Sequence, residues 1–255
     1  MVKYYEDFLN LGCFSFEDAE KVVGSRKGAL AILSGYVGKG YIAKVRRGLY
    51  VAMDIVNGGP VLDRYRIASR ITDDAVVAYH TAFAYYGHTN QVSYCTYVAT
   101  ERRFEPFEFD GSIYMKAKPT IEEGVVRKGN VSVTDLERTV LDCIDDFSMC
   151  LGFEEFTKCL SSVSRLNESR LRRYLPLYGK KVMYQKTGFV FERFGAELGV
   201  GKSFLDFCKE GVGTTGRLLP KWEPRPMELD KNWNLLVPKD VWRSTLKYEE
   251  VSDEV

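Results

Sequence analysis

Between positions 21 and 47 every charged side chain is basic: Lys21, Arg26, Lys27, Lys39, Lys44, Arg46 and Arg47. Cations gathered without an intervening acid hold phosphate oxygens and displace the counterions of a nucleic-acid backbone. Arg26, Lys27, Ser34 and Tyr36 lie in one helix-forming stretch and are expected to reach base edges from a major groove. Lys39, Lys44, Arg46 and Arg47 follow in a hairpin-forming stretch and are expected to hold phosphates or enter the minor groove.

The elements that must position these groups can be read from the same residues. Ser25 is suited to cap a helix whose apolar positions Ala29, Leu30, Leu33 and Val37 recur at helical spacing, with Gly38 and Gly40 ending it. Tyr41, Ile42 and Val45 make one β-prone run and Leu49, Tyr50 and Val51 another, with Arg46-Arg47-Gly48 as the turn between them. Upstream, Val2 to Leu11 predicts a first helix, and Ser15 caps a second over Phe16 to Val23 with Glu17 and Asp18 in its first turn. Three helices and a basic hairpin predict a winged helix-turn-helix over residues 1–56 that binds double-stranded DNA. The acids of the first two helices belong on the side away from the duplex.

The wing residues also carry a family likeness. Lys39-Gly40-Tyr41-Ile42, Val45 and Arg47-Gly48-Leu49-Tyr50-Val51 resemble the wing signature of AbiEi-family antitoxins, and Tyr79-His80-Thr81-Ala82 through Tyr86-Gly87 resembles the short helix that follows it. Val133 to Asp142 is similar to the family's D-x-E-R-T-x-x-D helix start, with Leu136 where the family often has Pro; the likeness thins beyond Asp146. The resemblance implies a repressor that autoregulates a toxin–antitoxin operon through an operator of inverted repeats. It also implies an antitoxin against a cognate nucleotidyltransferase-like toxin.

Asn57-Gly58-Gly59-Pro60 predicts a linker, and hence a second domain over 57–255. Its first part, 57–150, reads as helices at Asp63 to Ile71, Ala75 to Tyr86 and Asp135 to Ile144, the last capped by Thr134, around strands at Val92 to Thr100, Phe107 to Phe109, Ser112 to Lys116, Val125 to Arg127 and Asn130 to Val133. A small, mostly antiparallel sheet is expected. From 151 to 255 the chain reads as mainly helical, with an irregular arm from Gly211 to Pro226 and a strand at Trp233 to Val237. The fold class is therefore α+β rather than a doubly wound sheet.

Other chemistries fare less well. The 255 residues carry a formal net charge of +1, so only the distribution of charge informs. Six cysteines without a C-x-x-C pair, and two histidines far from most of them, predict no metal site; reduced, buried thiols in a cytoplasmic protein are expected. No apolar run approaches a membrane span. Gly199-Val200-Gly201-Lys202-Ser203 lacks the spacing of a phosphate-binding P-loop and reads as one helix ending and another beginning. Asp73-Asp74 and Asp145-Asp146 read as helix-end acids, and His80 as a core histidine. Arg165, Arg170, Arg172, Arg173, Lys180 and Lys181 read as a solvated helix face or a second anionic-partner surface. No cofactor and no catalytic residue are expected. The competing readings are a nucleic-acid-processing enzyme targeted by the winged module, and a winged-helix protein-interaction module.

Overall fold

The computed structural model describes residues 2–89, 91–222 and 224–242. The chain is α+β. It opens with α1 (Tyr5–Leu11), β1 (Cys13–Ser15), α2 (Phe16–Val23), α3 (Arg26–Gly38), β2 (Ile42–Arg46) and β3 (Leu49–Ala52). The strands form an antiparallel sheet in the order β1-β3-β2. Strand β1 is short and carries no turn signal of its own; pairing with β3 makes it a strand. Phe8, Phe14, Ala19, Leu33, Tyr36 and Ile42 close the core beneath.

Next come α4 (Arg64–Ala68), β4 (Val76–Val77), α5 (Tyr79–Tyr85), β5 (Cys95–Ala99), β6 (Phe107–Phe109), β7 (Ser112–Ala117), β8 (Val125–Lys128) and β9 (Val131–Thr134). The stretch expected as one helix from Ala75 to Tyr86 is thus split: Val76–Val77 pairs with β5 and β9, and the helix starts after it. The six strands make one sheet in the order β6-β7-β5-β4-β9-β8. It is mixed rather than mostly antiparallel, because β5 runs parallel to β7 and β4 parallel to β9. Alternation along a strand reports its faces but not the direction of its neighbour.

The remainder is α6 (Leu136–Asp145), α7 (Phe153–Ser161), α8 (Glu168–Tyr174), α9 (Lys181–Phe194), α10 (Lys202–Glu210) and a small sheet of β10 (Gly216–Arg217), β11 (Met227–Asp230) and β12 (Leu235–Pro238). The cap of α6 is Asp135, not Thr134: the Asp135 carboxylate accepts from the Arg138 backbone N–H at 2.9 Å. Trp233, fully buried, fills the space left by the missing side chain of Gly188 on α9, where a Cβ would overlap the indole ring.

Two compact units result, and each takes three stretches of chain. The first comprises Met1–Val77, Ser93–Pro119 and Val126–Val133, the second Ala78–Val92, Thr120–Val125 and Thr134–Val255. The break expected at Asn57-Gly58-Gly59-Pro60 is instead an ordered turn inside the first unit. The Asp54 carboxylate accepts from the Val56 and Asn57 backbone N–H groups and from the Asn57 side chain, bonds that hold its pKa below the usual carboxylate value. Met53 then bridges to Pro60. Leu62 lies against Gly12 and Arg70 pairs with Asp18 at 3.4 Å, so residues 1–56 are built into a larger core.

Candidate nucleic-acid interface

Helix α3 starts on Ser25, whose hydroxyl accepts from the Gly28 N–H at 3.2 Å. Gly28 permits that close cap, since a Cβ there would meet Ser25 Oγ and a Val23 methyl under 3 Å away. Gly24, in the left-handed region, makes the turn from α2 into α3. The buried stripe of α3 is Ala29, Leu33 and Tyr36, whereas Leu30 and Val37 of the expected stripe are 56% and 40% exposed. The reason is angular: positions 29, 33 and 36 share one side of the helix, and each of the other two lies one residue, about 100°, further round.

That rotation decides the fate of the expected contacts. Lys27 and Ser34, seven residues apart, share an exposed face of α3. Tyr36 does not: it is buried, its ring lies edge-on to Phe8 and Tyr41, and its hydroxyl donates to the Lys3 carbonyl. Tyr36 is a core residue, and its assignment to a groove is corrected. Arg26 is exposed yet engaged, 3.6 Å from Glu20 and stacked over Phe16, so it neutralises the acid of α2 nearest to α3.

In the hairpin, Lys44 pairs with Tyr50 but Arg46 pairs with Leu49, so Val45 is an extra residue and β2 bulges. Val45 is buried and Arg46 is half-buried, its guanidinium 5.7 Å from the Phe104 ring and its Nη1 enclosed without a partner. Arg46 is thereby turned inward, which departs from the expected phosphate contact. Arg47 stands exposed at the tip beside Gly48, whose φ of 80° makes the tight turn. Lys39 is exposed at the C-terminal end of α3, where the helix dipole favours a cation. Among the described residues, Lys27, Lys39, Lys44 and Arg47 make no ion pair or side-chain hydrogen bond.

Four of the six cations of the second basic cluster are paired with acids of the second unit, while Arg165 and Lys181 are exposed. Arg170 contacts Asp135 and Glu137, Arg172 pairs with Glu168, Arg173 with Glu123 and Lys180 with Asp145. Behind Arg170 lies a buried network. Arg138 donates to Asp142 at 3.2 Å and to the Glu123 carbonyl at 2.7 Å, while Tyr174 and Tyr178 donate to Asp135 and Asp142 at 2.9 and 2.6 Å. Burial pushes the Asp135 and Asp142 carboxyls above their ordinary pKa values despite these bonds. Asp135, Glu137, Arg138 and Asp142 are thus buried and bonded within this unit.

At Gly201-Lys202-Ser203, the N-terminus of α10 carries an anion from the chain itself. Glu168 accepts from the Gly201 N–H and the Ser203 hydroxyl, each at 3.0 Å, as well as from Arg172. A cleft of about 610 Å³ is lined by Asp145, Asp146, Glu154, Lys186, Arg217 and Trp222 among others. Its acids are engaged: Asp145 with Lys180, Asp146 with the Ser148 N–H, and Glu154 with Arg225. Lys186, its pKa lowered by burial, donates to the terminal carbonyls Ile144 and Asp145 of α6.

One constellation escaped the sequence. His80 on α5 and Glu155 and Cys159 on α7 are brought together in the second unit, all buried. The i, i+4 spacing of Glu155 and Cys159 on an amphipathic helix was the available signal; nothing local marks His80 as their neighbour.

No family model matches the chain, and no curated protein matches it. An architecture of this α+β class is known in a solved structure. The crystal structure of the RV2827C protein from Mycobacterium tuberculosis superposes with a TM-score of 0.67 over 97% of this chain and 94% of that one. At 11% identity the likeness is one of fold alone.

Proposed function

We propose that this protein is a DNA-binding repressor whose first unit carries a winged helix-turn-helix, with α3 as the recognition helix and the β2–β3 hairpin as the wing. The observation that carries the reading is the set of exposed cations without an internal partner on α3 and the hairpin, Lys27, Lys39, Lys44 and Arg47. The helix pair α2–α3, joined through Gly24 and Ser25 and followed by an antiparallel hairpin, supports the same geometry. With Ser34 beside Lys27, α3 offers one polar and one charged side chain to base edges. Arg26, held on Glu20, positions the helix start more than it reads a base.

The resemblance to AbiEi-family antitoxins extends the proposal. The protein represses its own operon through inverted repeats, and its second unit counters a nucleotidyltransferase-like toxin encoded beside it, in the cytoplasm. Among the described residues no helix is long and apolar enough to cross a membrane. The engaged acids of the cleft favour binding over metal-dependent nucleotide transfer, which needs carboxylates free to hold metal ions.

The deciding experiment is a gel-shift titration against the protein's own upstream DNA and a random duplex of equal length, across salt concentrations. Promoter-selective binding that Lys27→Ala and Arg47→Ala weaken is expected, each substitution flattening the logarithmic salt slope by about one unit. Equal, weak binding to both duplexes overturns the repressor reading. Co-expression with the neighbouring gene tests the antitoxin role through restored growth.

A further inference from the structure

We propose that His80, Glu155 and Cys159 form a structural zinc site in the second unit. The donor set combines an imidazole nitrogen, a carboxylate oxygen and a thiol, the groups that zinc takes in proteins. Their ligand atoms lie within 4.8 Å of one another. His80 Nε2 is 3.5 Å from Glu155 Oε1, and Cys159 Sγ is 3.6 Å from the same oxygen. Zinc bonds of 2.0–2.3 Å at tetrahedral angles separate their ligands by about 3.3–3.6 Å, so two edges of the tetrahedron already exist. The Thr89 hydroxyl, 3.2 Å from both His80 Nε2 and Glu155 Oε1, stands at the fourth side.

A further observation points to an occupant. The Glu155 side chain is 4% exposed, yet its Oε2, the second oxygen of the carboxylate that faces His80 and Cys159, has no hydrogen-bond partner. Buried polar atoms left in this way are uncommon and call for an ion or a water. Charge balance favours the ion. A dication with the Glu155 carboxylate and the Cys159 thiolate is neutral, so the filled site carries no net charge into the core. On binding, the Cys159 S–H bond breaks, the sulfur bonds to zinc and one proton leaves to solvent. The site clips α5, which arrives on a separate stretch of chain, onto α7, where Phe83 already packs against Phe156.

The test uses the full chain, unfolded in denaturant with a chelator and reductant, then refolded with cobalt(II) as a spectroscopic stand-in for zinc. The expected result is a thiolate-to-cobalt charge-transfer band that saturates at one ion per chain and is bleached by zinc. The band is lost in Cys159→Ser, weakened in Glu155→Gln and kept in Cys95→Ser. Zinc is also expected to raise the melting temperature of the wild-type chain relative to chelator. A folded wild-type chain with no band and no zinc-dependent melting shift overturns the proposal, and so does a band that survives Cys159→Ser. If Cys159→Ser does not fold, the wild-type titration and Glu155→Gln still decide, because a wild-type band unchanged in Glu155→Gln also excludes this site.

Discussion

Arg138 has a side chain 1% exposed and faces Asp142, itself 2% exposed, across 3.2 Å. Removing the guanidinium leaves a buried carboxyl with only Tyr178 to compensate it. Arg138→Ala is therefore expected to cost roughly 3–5 kcal/mol, read by urea unfolding. Asp142→Asn in the same background should recover part of that loss, because the uncompensated charge is gone; a double-mutant cycle measures the coupling. At the same scale, Tyr36→Phe separates the two roles considered for that residue. As a core ring with a hydroxyl bonded to the Lys3 carbonyl, it should lose about 1 kcal/mol of stability while DNA affinity is unchanged.

Helices bring their own consequences. Glu168 caps α10 from another helix, and although burial opposes it, the bonds from Gly201, Arg172 and Ser203 hold its pKa below the ordinary value. A depressed carboxylate stabilises the fold above its unfolded pKa of about 4.3 and loses that contribution as pH falls through the folded value. The stability gap between wild type and Glu168→Gln should be open at neutral pH and close below about pH 4, measured by denaturant midpoints against pH. On α9, Gly188→Ala drives a methyl into Trp233 and is expected to cost about 1–3 kcal/mol or more, with a change in tryptophan fluorescence. The sequence made local features legible: the Ser15 and Ser25 caps, the extent of α3, and the hairpin turn at Gly48. Features set by distant pairing were not. Val76–Val77 looked helical until β5 and β9 claimed it, the register slip at Val45 has no sequence mark, and His80 meets Glu155 across 75 positions. Of the expected contact residues, the exposed cations were legible as charge, whereas the inward turns of Tyr36 and Arg46 depended on Phe8 and Phe104, which only the fold supplies.

For the molecule as a whole, segments of the two units alternate along the chain, three of each, so the backbone passes between them five times. Residues 1–56 alone lack Leu62 over Gly12, Arg70 beside Asp18 and Phe104 beneath Arg46. A fragment ending at Val56 is expected to melt without a cooperative transition and to bind promoter DNA at least about tenfold more weakly than the full chain, a deficit of about 1.4 kcal/mol; circular dichroism and gel shift check the two outcomes. The alternation also bears on heredity. A genetic crossover falling between codons 78 and 133 joins strands from one parent to the strands or helices of another inside both units, and breaks two cores at once. No single crossover therefore exchanges one unit whole while leaving the other intact.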